Sequence, residues 1–257
     1  MKWFTAFALS LAGLVMSTSL FAQSTDFFEL SKTGTPQAVQ AAIDKGADLK
    51  ARDPKGLTTL MIAAGSNPDP AVIDVLLEAG ADVQALESTF GQNALMLAAG
   101  TNNPKVVAAL LAAGAEPNAQ DYTGQTALEL AAATNPDPDM INTLVRAGAD
   151  VRIRDKSDYS PILQASCGNN AAVLGALLTA GANPNDYGIY GGAVLYYAVS
   201  MNPNPGVIIV LLKAGANAKQ DFGRTDIGTH LFAVDLARDN PNLKGTDGLW
   251  VLEEAAK

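Results

Sequence analysis

The dipeptide Gly-Ala recurs at Gly46, Gly80, Gly114, Gly148, Gly181 and Gly215, at spacings of 34, 34, 34, 33 and 34 residues. A period of this length restricts a chain to stacked repeats, because one unit cannot cover its own apolar face and needs the next copy to do so. The glycines close a shared phrase, as in Leu76-Leu77-Glu78-Ala79-Gly80-Ala81-Asp82, Leu110-Leu111-Ala112-Ala113-Gly114-Ala115-Glu116 and Leu211-Leu212-Lys213-Ala214-Gly215-Ala216-Asn217. A second phrase precedes it, as in Gly56-Leu57-Thr58-Thr59-Leu60-Met61-Ile62-Ala63-Ala64 and Gly124-Gln125-Thr126-Ala127-Leu128-Glu129-Leu130-Ala131-Ala132.

Each phrase reads as a helix. The small pairs Ala63-Ala64, Ala98-Ala99 and Ala131-Ala132 let a neighbouring helix approach closely. Between the helices stand Asp69-Pro70, Asn103-Pro104, Asp137-Pro138 and Asn204-Pro205. An Asp or Asn caps free amides, and the proline suits the first helical position. The second helix then shows a broad apolar face through Val72, Ile73, Val75, Leu76 and Leu77. It ends at the recurring glycine, which accepts a left-handed backbone because it has no β-carbon. Fifteen residues separate Gly80 from Leu95 and 14 separate Gly114 from Leu128, so the Leu86–Phe90 connection holds one extra residue.

With these phrases in place the chain resembles the ankyrin-repeat family over about residues 26 to 240. The resemblance implies an all-α solenoid of helix-turn-helix units with hairpin connections, and binding of another protein through a concave surface of hairpin tips and first helices. The family's frequent His after the first-helix Leu is replaced by Met61, Met96 and Glu129. On this reading residues 1–22 are a signal peptide, 23–52 an N-terminal capping repeat, 53–220 five repeats and 221–257 a divergent C-terminal helical cap. The last boundary is the least sharply marked, between Phe222 and His230.

The leader carries one charge, Lys2, an apolar or small-residue stretch from Trp3 to Met16, and then Ser17-Thr18-Ser19-Leu20-Phe21-Ala22. That stretch is shorter than the roughly 20 residues of a spanning helix and matches a secretory signal cleaved after Ala22. The expected location is periplasmic or secreted, without stable membrane insertion after cleavage. The chain holds 17 Lys and Arg against 26 Asp and Glu, a net charge of -9; loss of Lys2 takes it to -10 (16 minus 26). Such a balance disfavours nucleic acid as a partner.

One His and one Cys leave no disulfide framework and no His or Cys metal cluster. No cofactor and no catalytic activity are expected. His230 has no nucleophile or orienting partner legible from spacing, and Cys167, aligned with Ala133, reads as a small packed residue. The stretch Tyr187-Gly188-Ile189-Tyr190-Gly191-Gly192 lacks the Lys-Ser/Thr end of a phosphate loop, and Asp137-Pro138-Asp139 lacks calcium-loop spacing.

The hairpin connections hold Phe90, Tyr122, Tyr159, Tyr187, Tyr190 and Phe222, half of the twelve aromatics after Ala22. They read either as anchors for a protein partner or as covers for adjacent hairpins. Tyr196 and Tyr197 lie on a first helix, where one can face the groove while the other packs. The leading functional expectation is a non-catalytic interaction scaffold of the bacterial envelope. The alternatives are an exported effector or enzyme accessory or inhibitor, and a hydrolase activity in the region after Asp221.

Overall fold

Short polar side chains and prolines set the helix starts. The computed structural model describes residues 26–168, 170–188, 192–224 and 230–257. The leader, its cleavage point and Tyr190 lie outside the described residues. Helix α1 (26–33) and α2 (Pro36–Asp44) open the stack. Five pairs follow: α3 (Thr59–Ser66) with α4 (Pro70–Glu78), α5 (Ala94–Thr101) with α6 (Pro104–Ala112), α7 (Ala127–Thr134) with α8 (Pro138–Arg146), α9 (Pro161–Gly168) with α10 (Ala171–Thr179), and α11 (Val194–Ser200) with α12 (Gly206–Lys213). Helices α13 (Ala233–Asp239) and α14 (Asp247–Ala255) close it.

Asp69, Asn103 and Asp137 accept from the amides of Ala71, Lys105 and Asp139, and the following proline is the first residue of α4, α6 and α8. Before α12, Asn204 accepts in the same way from Gly206 at 2.9 Å. At the other end of α4, Gly80 has φ +93°, its N–H donates to Leu77 at 2.9 Å, and Ala81 donates to Leu76 at 3.0 Å. These two bonds satisfy carbonyls that a helix end leaves open. Gly114, Gly148, Gly181 and Gly215 repeat the arrangement.

First helices pack on first helices and second on second along the chain. The contact between first helices is lined by fully buried Ala63, Ala64, Ala98, Ala99, Ala131 and Ala132, whose small size allows the approach. The second helices bury Val72, Ile73 and Leu76 and their counterparts Val106, Val107, Leu110, Met140, Ile141 and Leu144. One apolar core therefore runs the length of the described stack.

An asparagine ladder, not anticipated from the sequence, ties unit to unit. Asn102 Nδ2 donates to the Ala64 and Asn67 carbonyls, both at 2.8 Å, and Asn135 Nδ2 donates to Ala99 at 3.0 Å and Asn102 at 2.9 Å. Asn67, Asn202 and Asn240 donate likewise to Ser31 and Gly34, to Ser166, and to Val199. Each rung satisfies carbonyls at the end of the preceding first helix, which burial would otherwise leave without water.

The two-stranded sheet departs from the all-α expectation only locally. Strand β1 (Asp221–Arg224) pairs antiparallel with β2 (His230–Phe232).

Candidate protein-binding surface

The connections before each first helix are built on an acid that accepts backbone amides. Asp53 binds the N–H groups of Lys55 and Leu57, Asp121 those of Thr123 and Gln125, and Asp155 those of Ser157 and Tyr159, at 2.8–3.0 Å. Where the connection is one residue longer the acid is Glu87, whose longer arm reaches Thr89, Phe90 and Gln92. Burial pushes the Glu87 carboxyl up, but the amide bonds more than offset it and hold it below the ordinary range. The extra residue falls between Glu87 and Gln92, whose backbone bond replaces the four-residue closure of Asp121 with Gln125.

Side chains one repeat apart lock each hairpin to the next. Arg52 Nη1 donates to its own Gly56 carbonyl and to Leu86 at 2.7 Å; Gln120 Nε2 donates to Gly124 and Arg154; Arg154 Nη1 donates to Asp158 at 2.7 Å and Tyr187 at 2.9 Å. Arg154 also pairs with Asp186. These locks hold the hairpins as one continuous edge.

That edge sorts the hairpin aromatics. Phe90 is 56% exposed, Tyr122 56% and Tyr187 62%. Tyr122 donates its backbone N–H to Phe90 at 2.7 Å, and its ring lies over Gly91. Tyr187 lies beneath the Arg154 guanidinium, 5.9 Å from its ring centre. Tyr159 and Phe222 do not project. Tyr159 is half-buried against Tyr197, with ring centres 5.8 Å apart, and Phe222 meets Tyr196 edge to face at 5.2 Å. Both rings pack on a neighbour, and the cause lies on α11: Tyr196 and Tyr197 replace the Glu129-Leu130 pair of α7 and give both rings an apolar seat. Burial and the Tyr159 hydroxyl push the Tyr197 phenol well up, so it stays neutral.

The first helices leave Leu97, Leu130 and Gln164 half-buried and Thr101 and Thr134 exposed. Thr101 and Thr134 hydroxyls donate to Gly65 and Gly100 of the preceding unit at 2.9 Å. No charged residue lies on α3, α5 or α9. The surface can bury rings and neutral side chains without stripping water from ions.

His230 does have an orienting partner, which spacing did not reveal. Its Nδ1 is bonded to Asp221 Oδ2 across the β1–β2 hairpin, and its ring stacks on Phe232 with centres 6.4 Å apart. The Gly223 amide and then His230 hold Asp221 below the usual carboxylate range. Among the described residues no hydroxyl or thiol is bonded to the imidazole. Cys167 is half-buried and burial pushes its thiol up, which keeps it a thiol. Among the described residues no group of three or more His, Cys, Asp or Glu side chains could hold a metal ion, and no helix is long and apolar enough to cross a membrane.

A family model described as ankyrin repeats (3 copies) matches residues 27–121, 62–155 and 128–221. No curated protein matches the chain.

Proposed function

The chain belongs to the ankyrin-repeat family, whose repeats mediate protein–protein interaction, and from that premise we propose that it is a non-catalytic scaffold that grips a protein partner through the hairpin edge and the first-helix surface beneath it. The observation that carries the reading is the placement of Phe90, Tyr122 and Tyr187. These large rings remain exposed on hairpins that side-chain bonds lock to one another. A rigid edge that leaves rings in water gains free energy when a partner covers them, and little ordering entropy opposes it.

The charge-poor leader supports export, so we place the scaffold in the bacterial envelope or outside the cell, starting at about Gln23 after cleavage. Intact-mass analysis of the exported chain tests this: recovery of a species that retains Met1 would reject cleavage. The binding reading is tested by replacing the exposed rings and measuring retention of a partner, with folding checked on the same sample.

A further inference from the structure

We propose that Glu129 is a proton-held latch in the middle of the stack: in its neutral form it closes the first turn of α7, and once ionised it leaves that turn and loosens the α7 unit from its neighbours. Glu129 is fully buried at the third position of α7. Oε2 accepts from the Thr126 amide at 3.2 Å, completing a reciprocal cap with the Thr126 hydroxyl, which accepts from the Glu129 amide at 3.2 Å. Oε1 is buried and has no partner. A buried carboxylate needs several donors or a cation, and a single amide does not hold the charge.

The surroundings add no cation. Asp121 on the preceding hairpin and Asp155 on the following one both disfavour a second negative charge. Helices α5 and α9 carry no charged residue, and Cys167 is the one titratable group on α9. On α8, Asp139 and Arg146 are exposed. Of the cations on the following hairpin, Lys156 bonds the Tyr122 carbonyl at 2.7 Å and Arg154 is held by Asp158 and Asp186. Burial, against the opposing Thr126 amide and aided by Asp155 and Asp121, pushes the Glu129 carboxyl from 4.5 to about 8. The equivalent positions in the two preceding units hold Met61 and Met96, fully buried and uncharged, so the packing itself asks for a neutral group there.

The sign follows from linkage. The unfolded chain ionises Glu129 above its ordinary pKa, whereas the folded chain keeps the proton to about pH 8. Stability from the neutral acid is complete below pH 4.5, is lost as pH rises towards 8, and levels off above.

Equilibrium urea unfolding of the full chain, Glu129→Met and Glu129→Gln between pH 5 and pH 8.5 tests the proposal. The wild-type unfolding constant is expected to rise by about 600-fold over that range, while both variants change by about ten-fold or less. Equal slopes in wild type and variants would overturn it. A measurement that needs no variant to fold is carbon NMR of the Glu129 side-chain carboxyl at pH 6.5. A protonated carboxyl, with a Thr126 amide whose protection relative to the intrinsic base-catalysed rate falls above pH 8, supports the latch; an ionised carboxyl at pH 6.5, or protection that stays constant through pH 8, overturns it.

Discussion

The ring of Tyr122 lies on the backbone of Gly91 in the preceding hairpin: a β-carbon at Gly91 would stand 2.5 Å from two of its ring carbons. Gly91 also has φ +73°. One residue thus satisfies two demands, a left-handed turn and room for a neighbour's ring, and Tyr122 is set in position while more than half of it faces solvent.

Gly91→Ala is therefore expected to destabilise the chain by about 1–3 kcal/mol, through backbone strain and displacement of the ring. Urea unfolding measures the loss. The near-ultraviolet dichroism of the tyrosines should shift even where the chain stays folded, and an unchanged spectrum would contradict the contact.

Gly148 provides a contrast, because nothing lies within 4 Å of a β-carbon built there while its φ is +96°. Gly148→Val should cost roughly 1–2 kcal/mol from the left-handed backbone alone. Gly148→Asn should cost less, since asparagine tolerates that region. Equal losses for the two variants in urea unfolding would count against a purely conformational origin.

Asn135→Ala removes two donors from the Ala99 and Asn102 carbonyls. The change also removes the Oδ1 acceptor of the Asp137 amide, at 3.0 Å, and the expected loss is about 2–3 kcal/mol from the three net hydrogen bonds together. Hydrogen exchange should show the loss concentrated in the units on either side of Asn102, and a uniform loss along the chain would argue against a unit-to-unit tie.

Tyr159 and Tyr187 stand in successive hairpins but differ in what their rings do. Tyr159→Ser should lower stability by about 2 kcal/mol, because it strips a half-buried ring from Tyr197. Tyr187→Ser should change stability by about 0.5 kcal/mol or less. Thermal melts of the two variants settle the contrast, and equal melting temperatures would contradict the placement.

The helix pairs were legible because their signals are local. The Gly-Ala phrase, the Asp-Pro and Asn-Pro turns and the alanine pairs each act within a few residues. The asparagine ladder left a signal that was open to reading, Asn67, Asn102, Asn135, Asn202 and Asn240 at intervals of 35, 33, 67 and 38 residues, close to one or two repeat lengths, but its bonds run to the preceding unit and the local turn already accounted for an Asn. Tyr159 and Phe222 were not assignable from their hairpins alone, because their seats are made by Tyr196 and Tyr197 some 26 to 38 residues away in the chain. Likewise, the Asp221–His230 bond depends on two short strands that carry almost no periodicity.

The central claim is that Phe90, Tyr122 and Tyr187 form the binding edge, and the direct test is retention of a partner by the triple serine variant. Wild-type chain, the variant Phe90→Ser, Tyr122→Ser, Tyr187→Ser, and a control changed on the opposite helices at Glu78 and Arg146 are immobilised, matched for folded fraction by dichroism, and exposed to one envelope extract. The account predicts a stoichiometric protein held by the wild type and the control, with affinity for the triple variant reduced at least about 100-fold, since truncated anchors cost on the order of 2 kcal/mol each. A folded triple variant that retains the same protein at wild-type affinity would contradict it.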